Sequence, residues 1–251
     1  MPTLFLIRHG ATQWAQENRF AGWADAPLSE RGLQEAALAA ESLKSGGYSF
    51  DICFTSQLMR ALQTVGVING ILGRPKEPLM LSWRLNERHY GALQGRLRRE
   101  VIEQYGNAQV VEGRRAYHVR PPELEEDDPR WAEQLERIED LLPELHPRSE
   151  SLAQAAERVE PVWRETIAPA LRSGKRVLVV AHTSSIRGLV RCIEGLDDEQ
   201  CAAFRISTAL PRRYELDDNL APREIEDLTS GWNAKVRYWI NRKKPRWLGG
   251  I

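Results

Sequence analysis

The chain has 251 residues, enough for one large α/β domain or two small ones. Hydrophobic residues make up 42% and charged residues 28%, an ordinary globular composition that excludes a disordered or fibrous chain. Lys plus Arg equals Asp plus Glu at 35 each, so no global field recruits nucleic acid or a membrane surface.

In chain order, residues 3–7 form a first apolar strand that runs into "RHG" at 8–10. Ser29 reads as the N-cap of an Ala/Leu-rich helix that runs to about Lys44 and stops at Gly46-Gly47. "DICFTS" (51–56) is a second strand, followed by a helix from about Gln57 to Leu72, and "LML" (79–81) is a short third strand. Residues 84–130 are loop-rich, with one helix near 96–105 and the acidic run "PPELEEDDPR", a solvated insertion placed at about 106–130. Helices follow at roughly 130–142 and 150–172, the second capped by Ser149 or Ser151. "RVLVVA" (176–181) is the most apolar strand and leads into a helix from about Ser184 to Glu194. A short helix near 198–203 and two strands, about 205–209 and 212–216, complete the core. Strand–helix alternation of this kind predicts a doubly wound, mostly parallel sheet with helices on both faces. One domain is expected over 1–228, with a Trp-rich, basic tail at 229–251.

The N-terminal apolar run is too short for a secretory signal and lacks a basic lead-in. No apolar stretch approaches the roughly 20 residues that span a bilayer. Cys53, Cys192 and Cys201 form no CxxC pair, which argues against a disulfide framework or a thiolate metal site. A reduced, cytoplasmic protein is expected.

Two histidines arrive at two strand ends. "LFLIRHG" delivers His9, and "VLVVAHTSSIR" delivers His182. Open parallel sheets bind ligands beyond the carboxyl ends of their strands, and Arg60, after the second strand, joins Arg8 at that edge. Arginine matches phosphate oxygens bidentately, helix N-termini donate to anions, and a neutral imidazole is a good nucleophile toward phosphorus. A metal site built from the same histidines is disfavoured, because two arginines would repel the cation and no HExxH-type spacing occurs.

"LIRHGATQW…ENRFAGWADAPLSERGLQEA", "SWRLNERHYGALQG" and "VLVVAHTSSIRGLV" resemble the cofactor-dependent phosphoglycerate mutases of the histidine phosphatase superfamily, with the motifs in order from residue 3 to about 220. The resemblance implies that His9 takes the phosphoryl group, that Arg8, Arg60 and His182 bind it, and that Glu87 is the general acid and base. It further implies substrate contacts from Gly22, Arg88, Tyr90, Arg98, Arg114, Arg115, Thr183 and Ser184. The reaction implied is interconversion of 3- and 2-phosphoglycerate, primed by 2,3-bisphosphoglycerate, without a metal. The alternative is a histidine phosphatase or phosphomutase acting on another small phosphorylated metabolite. The chain departs from the family at Ala15 (usually Asn), Ala21 (Thr), Thr183-Ser184 (Gly-Asn) and Arg98 (Lys), all pocket positions. The tail is read either as a lid over the anionic site or as a segment packed on the domain surface or on a second subunit of a homo-oligomer.

Overall fold

In a computed structural model, residues 1–74, 77–107, 116–138 and 146–228 are described. The acidic insertion is therefore described in part. Arg114, Arg115 and the 229–251 tail lie outside the described residues.

Among the described residues six strands form one sheet: β1 (Thr3–Arg8), β2 (Ile52–Thr55), β3 (Leu79–Leu81), β4 (Val177–Ala181), β5 (Arg212–Leu216) and β6 (Pro222–Asp227). Their order is β3-β2-β4-β1-β5-β6. The first four neighbours are parallel, whereas β5 runs antiparallel to both β1 and β6. Period-two alternation explains why β1 and β4 are apolar throughout. Leu4, Leu6, Val177, Val179 and Ala181 pack into one core, while Phe5, Ile7, Leu178 and Val180 point into the other. A strand buried on both faces has no polar side to show.

The helices follow the expected order. On one face lie α2 (Glu30–Ser45) and α3 (Met59–Leu72), which supply Ala40, Leu43, Ala61, Val65 and Ile68 to the core. The other face is covered by α6 (Leu152–Val162), a π-helical turn (Trp163–Ile167), α7 (Ala168–Arg172) and α8 (Thr183–Glu194). Between these blocks run the short α1 (Gln13–Gln16), α4 (Arg98–Tyr105) and α5 (Pro129–Arg137), and α9 (Asp198–Ala203) follows α8. The side chains of Ser29 and Ser151 cap α2 and α6 as their positions suggest.

Two local expectations are corrected and one unexpected strand is added. The α3 helix starts at Met59 rather than Gln57, because Asp25 Oδ1, from a distant loop, accepts the Met59 N–H at 2.6 Å and caps it. Residues 205–209 are not a strand; they make one isolated bridge, Arg8 to Thr208. The strand that follows β5 is instead β6, whose "PREIED" has no apolar face for a pattern to reveal.

Candidate active site

The β1–β4 register places Arg8 opposite Ala181, and the His9 N–H donates to Ala181 O at 3.0 Å. The next residues on the two strands, His9 and His182, thus lie side by side with ring centroids 4.9 Å apart. Gly10 lets this turn nest against α2: a Cβ there would sit 2.3 Å from Gly32 O.

Hydrogen bonds fix both tautomers. The neighbour of His9 Nδ1 is Gly10 O at 2.7 Å. A carbonyl only accepts, so Nδ1 carries the proton and Nε2 keeps its lone pair. For His182, Arg60 Nε donates to Nδ1 at 3.2 Å, so its Nε2 donates to Ser56 Oγ at 2.7 Å. Burial, reinforced by the nearby arginine charges, holds both imidazoles well below the usual histidine pKa. Both are neutral at pH 7.

Arg60 is buried and aimed by backbone. Its Nη2 donates to Gly22 O at 2.6 Å and its Nη1 to Ala24 O at 2.9 Å. Gly22 adopts φ +58°, and a Cβ there would lie 2.3 Å from Gln94 Oε1, so only glycine presents its carbonyl this way. Arg8 Nη1 donates to Ile206 O at 3.3 Å.

Glu87 reaches the N-terminus of α8. Its carboxylate accepts from Ser184 N at 3.0 Å, Thr183 N at 3.2 Å and Arg88 N at 2.9 Å. Burial opposes its charge, but the Ser184 hydroxyl, the Arg88 N–H and the Arg60 charge outweigh it and hold the carboxyl below its ordinary pKa. Helix N-termini stabilise anions in this way. The loop that carries Glu87 is clamped from behind. Arg158 Nη2 donates to Glu87 O at 2.8 Å and Asn86 O at 3.0 Å, and its Nη1 donates to Arg84 O at 2.5 Å. Glu150 pairs with Arg158 at 2.5 Å and also accepts the His89 N–H at 2.8 Å. Trp23 Nε1 adds a second donor to Glu87 O at 2.6 Å.

The remaining expected residues divide. Arg88 is 2% exposed and stacks on Tyr90 at 4.8 Å, beside Glu87. Thr183 and Ser184 stand against Glu87 through their amides. Arg98 opens α4, where its N–H donates to Asn18 O at 2.8 Å. Ala15 is exposed and Ala21 half-buried. Ser56, Glu150, Arg158 and Arg187 belong to or support the site and escape a sequence reading. Only Ser56 carries the signal that found the histidines, a polar residue just past an apolar strand.

Among the described residues no group of three or more His, Cys, Asp or Glu side chains gathers as a metal site, and no helix is long and apolar enough to cross a membrane. A neutral imidazole whose Nε2 keeps its lone pair, the Arg8 and Arg60 charges that act on it and a carboxylate on a helix N-terminus are a donor set chemically suited to a phosphoryl group. The chain belongs to the histidine phosphatase superfamily (branch 1), whose family model matches residues 4–149 and 125–221. Solved structures share the fold. A mycobacterial glucosyl-3-phosphoglycerate phosphatase in complex with VO3 is 23% identical with a TM-score of 0.65, covering 86% of this chain and 93% of that one. YhfR from Bacillus stearothermophilus is 23% identical with a TM-score of 0.65, over 86% and 91%. An α-ribazole phosphatase from Shigella flexneri is 21% identical with a TM-score of 0.64, over 90% and 96%.

Proposed function

We propose that the protein is a phosphatase that hydrolyses a small phosphomonoester through a phosphohistidine at His9. The observation that carries this reading is the tautomer lock: Gly10 O holds the Nδ1 proton, so Nε2 keeps its lone pair for attack beside the Arg60 and Arg8 charges, which would hold the phosphoryl group. A phosphomonoester, whose second pKa is about 6, enters as its monoanion and passes its proton to the Glu87 carboxylate. His9 Nε2 attacks phosphorus, the P–O bond to the alcohol breaks, and Glu87 returns the proton to the departing oxygen. Water then attacks the phosphohistidine while Glu87 takes its proton, the N–P bond breaks, and phosphate leaves with that proton. His9 returns to its starting tautomer.

A mutase would hand the phosphoryl group to a second hydroxyl, and so must retain its intermediate and exclude water. The methyl side chains of Ala15 and Ala21, one exposed and one half-buried, offer a retained phosphoglycerate no hydrogen bond. Two of the structures similar to this chain are themselves named phosphatases. These points favour water as acceptor, for which no 2,3-bisphosphoglycerate primer is needed. The deciding experiment follows 3-phosphoglycerate with and without 2,3-bisphosphoglycerate. Primer-independent phosphate release is the expected result, and primer-dependent 2-phosphoglycerate formation that outpaces release would establish the mutase instead.

A further inference from the structure

Arg187 is a cation at the site that the phosphoryl chemistry does not use. It lies on α8 three and four residues after Ser184 and Thr183, whose amides hold Glu87. Residues at these spacings share one helix face, and helical side chains lean back toward the N-terminus, which brings the guanidinium toward the Glu87 carboxylate. Its Nε donates to Phe204 O at 2.9 Å. That carbonyl lies two residues before Ile206 O, which receives Arg8, so one short segment holds both arginines. The terminal nitrogens of Arg187 have no protein acceptor among the described residues, although the side chain is half-buried.

A charge removed from water is normally paired. Here burial lowers the pKa of the guanidinium, and the facing Glu87 and Tyr90 offset this only in part. The carboxylate is already committed to three backbone amides. An incoming anion would find two parallel N–H donors in the fork geometry that suits carboxylate and phosphate oxygens. Glu87 delivers its proton to the departing oxygen, so the leaving alcohol must lie on this side of the phosphoryl group.

We propose that Arg187 selects substrates whose leaving alcohol carries its own anionic group, a carboxylate or a second phosphate, received on the two terminal nitrogens. The assignment deepens the phosphatase reading and rests on it for the identity of the leaving group.

The test compares three probes on the full chain: glycerol 3-phosphate, 3-phosphoglycerate and glycerol bisphosphate. They share a three-carbon skeleton and differ in bearing no second anion, a carboxylate or a second phosphate. Wild-type kcat/KM should favour at least one probe with a second anionic group over glycerol 3-phosphate by about 10- to 100-fold, the weight of one hydrogen bond to a charged group. Arg187→Met should bring the ratio of kcat/KM on the anionic probe to that on glycerol 3-phosphate close to one, and Arg187→Lys should restore part of the advantage. Whichever anionic probe loses more identifies the group. Equal losses on all probes would make Arg187 a structural residue, and a wild-type enzyme indifferent to the second anion would overturn the proposal. Calorimetric binding of the same probes separates the two readings. If no probe is hydrolysed the phosphatase reading fails, while an Arg187-dependent preference in binding still decides the role of Arg187.

Discussion

The two ends of the pocket are built from different material. At the phosphoryl end, His9, His182 and Arg60 are buried, each hydrogen-bonded to backbone, to Ser56 or to one another at 2.6–3.2 Å; the two histidines follow adjacent strands in fixed register, and Arg60 stands in the first turn of α3. The proposed acceptor end is made of small or half-exposed side chains, Ala15 on α1, Ala21 on a loop and Arg187 on the flank of α8. On the proposed reading, the rigid framework of strand ends and α3 fixes the reaction, and the adaptable side fixes what is bound. The Glu87 loop joins them, with its carboxylate on α8 and its backbone tied to Arg158.

If that division holds, damage at the phosphoryl end should be total. His9→Ala should reduce turnover to background and abolish the acid-labile phosphoryl adduct seen by intact mass after incubation with a phosphate ester. An adduct that persists in the variant would move the nucleophile elsewhere. Next in size, Glu87→Gln should lower turnover of alkyl phosphates by about 10²–10⁴-fold, with vanadate inhibition little changed. A p-nitrophenyl ester, whose leaving group needs little protonation, should suffer much less. Equal losses on both esters would remove Glu87 as the acid.

The junction can be broken through stability instead. Arg158 and Glu150 are 7% and 4% exposed, so Arg158→Met strands a buried carboxylate and should cost about 3–5 kcal/mol in urea unfolding. Arg158→Met combined with Glu150→Leu should recover much of that loss. A double variant no more stable than the single one would show that the carbonyl contacts, and not the ion pair, dominate.

Acid provides a gentler probe. His89 is buried and its pKa is pushed down to about 4, and protonating its Nδ1 would break the bond from Gly91 N–H at 2.9 Å. His9 and His182 are lowered too. In each case the unfolded chain binds the proton first, near pH 6.5, so stability should be complete above that pH. It should fall as pH drops from about 6.5 toward 4. Denaturant midpoints measured across this range test it, and a flat profile would contradict the neutral assignments. Smallest of all, Ser184→Ala removes a hydrogen bond that favours the Glu87 carboxylate. The acidic limb of kcat/KM should move to higher pH while the phosphoryl end stays intact, and an unmoved limb would detach Ser184 from Glu87.

The same division decided what could be read in advance. Strands β1 and β4 announce themselves because burial on both faces demands continuous apolar runs, and His9 and His182 stand out at their ends. Edge strand β6 stays hidden because Glu224, Glu226 and Asp227 face solvent or pair with Arg212 and Arg213, which leaves no alternation to detect. Residues 205–209 mislead for the opposite reason: they make one isolated bridge, Arg8 to Thr208, and Ile206 O serves the Arg8 side chain instead of a ladder. Arg158 and Arg187 look like ordinary helix arginines in one dimension. What separates one from the other is which carbonyls lie within reach, and that is set by contacts across more than 70 residues of chain for Arg158.

The hydrogen-bonded neighbours of β1 carry a consequence for how the molecule is made. Its ladders run only to β4 and β5, so the first strand of the chain has no partner until residues 177–181 exist. His9 at its end, the proposed nucleophile, cannot be positioned before then. Long-range parallel pairing is slow because loop closure precedes any gain in contacts. During synthesis, "LFLI" must therefore wait as an exposed apolar segment, the kind of edge on which chaperones and aggregation compete. Appearance of catalytic competence should be among the last events in refolding, trailing the recovery of helical signal from α2 and α3, which pack on each other locally.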